Sequence, residues 1–230
     1  MLGAELSAPV LTEEARLGGF SNEAGADGTT LVLRNITGLW TLQECKRWWE
    51  RDGVLLDHGD LVLWARQAPA WGPVLNVNDP RFAGTGDLPG LVQDSCRQTG
   101  QRVPQTQGEV LRILLESLAF EYRRSLEALE RVTGQRFEEF WMVGGGTKNR
   151  LLCELTATVL GRPVLVGPEE TTALGNLVCQ LQAIGVFRDR SEARQAAASF
   201  GSTTISPGDP KEGSVAYERW LALPGVRGSV

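Results

Sequence analysis

Apolar residues recur at helical spacing in several stretches of the chain. Leu39, Leu42 and Trp49 follow this spacing, with Gln43 beside them, so the pattern predicts an amphipathic helix over residues 39–51. Further helices are predicted over residues 88–98 and 107–132. The second of these has a broad apolar face that includes Phe120 and Tyr122, and Gly134 is expected to end it.

Other parts of the first half and the tail have weaker patterns. Residues 29–33 are apolar and partly β-branched, which predicts a short strand. Residues 52–88 are rich in Gly, Pro and Asp, and predict long loops with at most a short strand. Near the carboxyl end, the spacing predicts helices over residues 191–198 and 213–222.

From residue 140 the pattern alternates between strands and helices. It predicts a buried strand over residues 140–143, a helix over 148–160, a strand over 162–166 and a helix over 169–184. Because such alternation is typical of parallel strands joined by helical crossovers, this part of the sheet is expected to be parallel. Glu169 and Glu170 are interpreted as carboxylates at the start of the last helix, where its dipole favours negative charge.

Composition limits the class of protein. With 230 residues, 42% hydrophobic and 22% charged, the chain is long enough for one domain, here predicted as a core over about 1–200 and a helical tail over 201–230. A net charge of -5 with scattered Lys and Arg argues against nucleic-acid binding. The chain shows neither a secretory signal nor an apolar stretch of about 18 residues, so a cytoplasmic protein without membrane contact is expected.

Cysteine and histidine usage excludes several kinds of site. The four cysteines are far apart, without a C-x-x-C pair, and are interpreted as reduced thiols in the interior. His58 is the single histidine, so a Ser-His-Asp triad elsewhere or a two-histidine zinc site cannot be built. The Asp and Gly residues around His58 predict a loop.

The strongest local motif is the glycine run Gly144-Gly145-Gly146, followed by Thr147-Lys148-Asn149, between a predicted strand and a predicted helix. Glycines without Cβ atoms let a flat ligand or a phosphate approach the backbone, and helix-start amides can face an anion. Asn149 stands where the dinucleotide fingerprint has its third glycine, and the chain has no phosphate loop of the Walker type. A tight turn without a ligand therefore remains an alternative.

The wider context of this motif resembles a known family. The segments Gly144–Asn149, Gly161–Val164 and Gly167–Asn176 closely resemble the adenosine-binding end of the FGGY carbohydrate kinases. Phe20–Glu23, Asn35–Trp40 and Asp79–Phe82 are similar to the rhamnulokinase branch of that family. The resemblance extends over nearly the whole chain and is weakest after about residue 200.

The resemblance implies an α/β fold of the actin-like ATPase (ribonuclease-H-like) type, with a mixed sheet flanked by helices. It implies ATP and Mg²⁺ as cofactors, with the nucleotide against Gly144, Gly145, Gly146, Asn149 and Gln43, and a sugar contact at Asn35. The alternative for Asn35 is a turn residue that bonds its own backbone, and the alternative for Gln43 is simple surface exposure.

The same resemblance implies that this chain is the carboxy-terminal half of such a kinase. The amino-terminal domain, with the catalytic base and a phosphate-binding hairpin, and the first hairpin strand or strands of this domain are expected to be absent. No catalytic residue or metal ligand is assigned here. The expected reaction, ATP with L-rhamnulose to ADP and L-rhamnulose 1-phosphate, would then need a separate amino-terminal half.

Two other interpretations share the same fold. The chain could be a non-catalytic actin-like module that binds a nucleotide or a protein, or a truncated gene product.

Overall fold

The computed structural model describes residues 1–53 and 55–226 of the chain. Its first sheet has three antiparallel strands in the order β1, β3, β2. These strands are β1 (Leu2–Leu6), β2 (Phe20–Ala24) and β3 (Thr30–Arg34), with the short helix α1 (Glu13–Leu17) between the first two. The predicted strand is present as β3, whereas the sequence pattern does not predict β2 and α1.

Four helices follow the first sheet. They are α2 (Trp40–Trp49), α3 (His58–Gln67), α4 (Leu88–Gln98) and α5 (Gln107–Thr133). The predicted helices α2, α4 and α5 are confirmed, and Gly134 ends α5 in the left-handed conformation with φ 65°. No helix in the described part of the chain is both long and apolar enough to cross a membrane.

Helix α3 corrects the prediction of loops over residues 52–88. Asp57 caps it by accepting a hydrogen bond from the Gly59 N–H at 3.2 Å, so His58 is the first residue of a helix and not a loop residue. Only Leu61 and Ala65 of this helix are fully buried. Two buried positions four residues apart give too weak a periodic signal to stand out among the surrounding Gly and Asp residues.

The second half builds a small mixed sheet and its helices. These elements are β4 (Phe140–Met142), α6 (Arg150–Leu160), β5 (Val164–Val166), α7 (Thr171–Ala183), α8 (Arg190–Ala198), β6 (Thr203–Ile205) and α9 (Pro210–Leu221). Strands β4 and β5 are parallel, as predicted, and β6 pairs with β5 in the antiparallel direction. Strand β6 is not predicted by the sequence pattern, and the region after residue 200 contributes this strand as well as a helix.

Helix α5 is the centre of the main hydrophobic core. It buries Leu111, Leu114, Leu118 and Phe120 completely, against α3, α6 and the sheet residues around them. The tail packs on the same helix, because the rings of Tyr217 and Trp220 lie 5.8 and 5.9 Å from the Phe120 ring. Burial of these aromatic side chains fixes α9 on the core.

Two predictions of burial need correction. Strand β4 is not buried throughout: Met142 is buried, but Trp141 is 47% exposed because one face of the second sheet is open. Cys45, Cys96 and Cys153 are buried thiols, as expected, whereas Cys179 is exposed on α7. None of the residues of α7 is fully buried, although the helix is predominantly apolar.

Candidate functional site

A cleft of about 870 Å³ opens between α2, α3, α5 and the start of α6. This volume falls within the usual range for small-molecule sites. Its lining comprises Gly38, Leu39, Trp40, Leu42, Gln43, His58, Gly59, Leu61, Val62, Leu115, Tyr122, Gly145, Gly146, Lys148, Asn149 and Arg150. The glycine turn and the amino end of α6 thus form one wall, and three helices form the others.

The glycine turn is held by its own hydrogen bonds. The Thr147 hydroxyl and N–H donate to the Gly144 carbonyl at 2.7 and 3.0 Å, and the Gly144 N–H donates to the Pro168 carbonyl at 3.1 Å. Gly144 has φ 78° and ψ -170°, a backbone conformation that essentially only glycine adopts. At Gly145, by contrast, an added Cβ would meet no atom within 4 Å. The absent side chain of Gly145 therefore leaves open space at the cleft wall.

Asn149 has a clear local role at the start of α6. Its side-chain oxygen accepts a hydrogen bond from the Leu152 N–H at 3.0 Å, so Asn149 is the N-cap of the helix. The residue is only 9% exposed. Because it also lines the cleft, the positive end of the α6 dipole lies at the cleft wall, where an anionic group is favoured.

The floor of the cleft is apolar apart from one hydroxyl. Leu42, Leu61 and Leu115 are buried there. Tyr122 is 9% exposed, and its hydroxyl has no hydrogen-bond partner among the described residues. Burial, with a smaller contribution from Cys153, raises the pKa of Tyr122 to about 12, so the hydroxyl stays protonated. It can donate one hydrogen bond and accept others from a group that enters the cleft.

The rim carries the polar and charged side chains. Gln43 is exposed there, and His58, Lys148 and Arg150 supply nitrogen donors. The Lys148 amine lies 2.9 Å from the Glu169 carboxylate, which raises the pKa of Lys148, and Arg150 pairs with Glu154 at 3.3 Å. Within the described lining there is no Asp or Glu, so the cleft surface itself favours an anionic ligand.

The structure brings most of the predicted site residues together. Gln43, Gly145, Gly146 and Asn149 line one cleft. Gly144 lies just outside the lining and shapes the turn. Asn35 follows β3 and is exposed, and it does not line this cleft. Gln43 is exposed to solvent and also lines the rim of the cleft, so surface exposure and a position in the cleft are compatible for this residue.

The cleft lining also contains Tyr122, Arg150 and His58, which are not among the predicted site residues. Tyr122 is part of the apolar face of α5, so its position alone does not distinguish it from core residues. Arg150 follows the glycine motif directly, and could have been found as the first residue of the helix that the motif opens. His58 could be found only once α3 is recognised as a helix.

Metal ligands do not converge at the cleft. Between residues 1–53 and 55–226, no group of three or more His, Cys, Asp and Glu side chains comes close enough to hold a metal ion. Since Mg²⁺ prefers oxygen ligands and the rim offers mainly nitrogen donors, the residues present do not fit a Mg²⁺ site of their own.

Several curated relatives match the chain closely. It is 35% identical over 218 residues to a rhamnulokinase of Bacteroides thetaiotaomicron, which covers 94% of this chain and 44% of the relative. It is 36% identical over 217 residues to a rhamnulokinase of Enterococcus faecalis, covering 94% and 43% of the two chains. The chain therefore spans less than half the length of these relatives.

Solved structures share the fold at lower identity. A xylulose kinase from Rhodospirillum rubrum superposes with a TM-score of 0.63 at 23% identity, covering 89% of this chain and 41% of that one. A glycerol kinase from Plasmodium falciparum, solved with ADP, gives a TM-score of 0.59 at 15% identity over 89% and 42%. These similarities confirm the predicted actin-like α/β class.

The family assignment rests on the larger part of the chain. The model of the carboxy-terminal domain of the FGGY family of carbohydrate kinases matches residues 1–184. This range contains the glycine turn, α2, α3, α5 and α6, and so the whole lining of the cleft. The chain belongs to the FGGY family of carbohydrate kinases and carries its carboxy-terminal domain.

Proposed function

We propose that this chain is the ATP-binding half of a sugar kinase that phosphorylates L-rhamnulose to L-rhamnulose 1-phosphate. The observation that carries the nucleotide part is the single cleft that Gln43, Gly145, Gly146 and Asn149 share. The sugar is proposed from the rhamnulokinase relatives, with Asn35 as a sugar contact outside this cleft. ATP and Mg²⁺ are proposed as the cofactors from the kinase family.

The polarity of the cleft favours one orientation of the nucleotide. The apolar floor between Leu61 and Leu115 suits a flat base, and the Tyr122 hydroxyl supplies a hydrogen bond to its polar edge. The rim donors Lys148 and Arg150, with the amino end of α6, suit the phosphates. The open space at Gly145 lets the nucleoside lie close to the backbone.

The cleft by itself supplies only part of what phosphoryl transfer requires. Transfer to a sugar hydroxyl needs a carboxylate that orients or deprotonates the hydroxyl, and no Asp or Glu lines the described cleft. Within this chain, the cleft residues bind and orient the nucleotide. We propose that catalysis needs a region equivalent to the remainder of the relatives, either as a separate amino-terminal half or in the same polypeptide.

Calorimetric titration of the chain with ATP tests the nucleotide part of the proposal. Binding is expected, and ATP at a hundred times its dissociation constant should raise the free energy of unfolding by about 2.7 kcal/mol. The absence of both heat of binding and stabilisation would contradict the proposal. A matched titration with a sugar alone, L-rhamnulose, is expected to give a far weaker signal.

A coupled assay for ADP release tests the catalytic part. The chain alone, with ATP and L-rhamnulose, is expected to show no turnover, and addition of an amino-terminal half of a rhamnulokinase relative should restore it. Turnover by the chain alone would contradict the proposal that catalysis needs an amino-terminal half. ATP binding without turnover in the presence of that half would instead favour a non-catalytic nucleotide-binding module.

A further inference from the structure

A second cavity, of about 620 Å³, lies between α3, α5, α6 and the connection from β6 to α9. One of its walls is built by residues 204–209 and Glu212, which follow the part of the chain that matches the family model. Arg150 is the only described residue that lines both this cavity and the nucleotide cleft. The second cavity is therefore a separate place for a ligand, on the other side of α6.

Arg112 forms the inner wall of this cavity. It is only 8% exposed, and its Nε donates to Glu116 Oε1 at 2.5 Å. The ion pair is not bidentate, because Glu116 Oε2 is buried without a hydrogen-bond partner in the described structure. No other described residue accepts a hydrogen bond from the Arg112 guanidinium. Its terminal amino groups therefore remain available to an anion in the cavity.

The other charges of the cavity are arranged around this cation. Glu154 is shared by Arg66, at 2.8 Å, and Arg150, at 3.3 Å, so both of these cations already have a carboxylate partner. Asp209 and Glu212 are exposed at the outer side of the cavity. Carboxylates accept hydrogen bonds, so a ligand that places an anion near Arg112 should place hydroxyl groups near Asp209 and Glu212.

Trp71 provides an aromatic surface in the same cavity. It is half-buried, and its backbone has φ 53°, which is unusual for a bulky residue. The backbone N–H of Trp71 donates to Glu116 Oε1 at 2.9 Å, and its backbone carbonyl accepts from Arg219 Nη2 at 2.6 Å. These bonds fix the backbone of Trp71, and its indole, whose ring centre lies 6.1 Å from that of Phe120, lines the cavity, where the apolar face of a sugar ring can pack against it.

We infer that this cavity binds a phosphorylated sugar or polyol, with its phosphate on Arg112, its hydroxyls on Asp209 and Glu212, and its carbon skeleton against Trp71. Each part of this ligand matches one part of the lining. Inorganic phosphate would satisfy Arg112 alone, and a sugar without phosphate would satisfy only the carboxylates and the indole.

Calorimetric titrations of the full chain with three probes test this inference. Fructose 1-phosphate is expected to bind about tenfold or more tightly than inorganic phosphate or fructose, because it alone uses both halves of the cavity. Absence of binding by fructose 1-phosphate would overturn the inference. Equal affinities for fructose 1-phosphate and inorganic phosphate would also overturn it, since the carboxylates and the indole would then contribute nothing.

A charge-balanced double variant tests the role of Arg112. Arg112→Gln with Glu116→Gln removes both buried charges together, and is expected to weaken fructose 1-phosphate binding by about tenfold or more. Arg66→Gln with Glu154→Gln is the matched control, because it also removes one positive and one negative charge from the same cavity, but from a more exposed ion pair. A loss in the control equal to that in the double variant would overturn the assignment to Arg112.

Two further variants keep the test decisive if the double variant does not fold. Glu212→Gln, at an exposed position, is expected to weaken fructose 1-phosphate about threefold and to leave inorganic phosphate binding unchanged. Gly145→Leu, which fills the nucleotide cleft, should leave fructose 1-phosphate binding unchanged. An unchanged affinity in the Glu212 variant, or loss of binding in the Gly145 variant, would overturn the inference.

Discussion

Lys148 Nζ lies 2.9 Å from Glu169 Oε2, and this ion pair joins the glycine turn to the loop between β5 and α7. The two side chains are 66% and 49% exposed, so the pair contributes little to stability. Lys148 also lines the rim of the cleft proposed to bind the nucleotide, whereas Glu169 does not. A phosphate that binds at the rim therefore competes with Glu169 for the Lys148 amine.

Removal of the Glu169 charge should strengthen nucleotide binding. Glu169→Gln frees Lys148 for the phosphates, and calorimetry is expected to show ATP bound about threefold more tightly, with the unfolding temperature unchanged. Glu170→Gln is the control, since it removes the same charge at an exposed neighbour that forms no ion pair within the described residues. Weaker ATP binding in the Glu169 variant would show that the pair positions the turn instead of competing with the ligand.

The two adjacent glycines should respond differently to substitution. Gly145→Leu fills open space at the cleft wall, so ATP affinity should fall about tenfold or more while thermal stability stays close to that of the parent chain. Gly144→Ala forces a side chain into a conformation with φ 78° and should cost about 1–3 kcal/mol of stability. Denaturant unfolding and ATP titration of both variants separate the effects. An unchanged ATP affinity in the Gly145 variant would contradict the placement of the nucleotide.

The Tyr122 hydroxyl should contribute to recognition of the base. Tyr122→Phe keeps the ring and removes only the hydroxyl, which has no partner among the described residues, so stability should not fall. ATP affinity is expected to drop by roughly three- to tenfold, since a typical hydrogen bond contributes about 0.5–1.5 kcal/mol. The ratio of ATP to GTP affinity should change as well. Equal losses for both nucleotides would indicate a structural role for the hydroxyl, and no loss would contradict contact with the base.

The sequence predicts elements whose signal is local and misses those fixed by distant contacts. Helix α5 has a long periodic face, the Thr106–Glu109 capping box and a terminal Gly134, so both its type and its end could be predicted. Strand β6 has three residues and is a strand only because it pairs with β5. No pattern of three residues encodes such pairing, and the same holds for β2, where only Phe20 is buried.

In the candidate site, too, features with a local sequence signal could be predicted, whereas features fixed by distant contacts could not. The glycine turn is recognisable from its motif and Gln43 from the resemblance to the FGGY kinases, and the structure adds that they share one cleft. Tyr122 cannot be distinguished from core residues of α5 without knowledge of what faces its hydroxyl. The ion pair between Lys148 and Glu169 is also a property of the fold, because it joins residues 21 positions apart on different loops.

Glu109 should make the stability of the chain depend on pH in the acid range. Its carboxylate accepts hydrogen bonds from the Gln105 N–H at 2.6 Å and from Arg102 at 2.9 Å, and these bonds lower the pKa of Glu109 below 4.5. Since the folded state holds the proton less tightly than the unfolded state, the stabilisation is present above pH 4.5 and is lost as the pH falls through the folded-state pKa.

Glu109→Gln removes this charge from the start of α5 and is expected to cost about 1 kcal/mol of stability at pH 7. The difference from the parent chain should shrink as the pH falls below 4.5, because the parent carboxylate is then protonated as well. Urea unfolding across this pH range measures the difference in the free energy of unfolding between the variant and the parent chain. The control is the exposed Glu218→Gln variant, which should show little difference from the parent at any pH. A difference that persists undiminished in acid would mean that geometry, and not the charge of Glu109, stabilises the capping box.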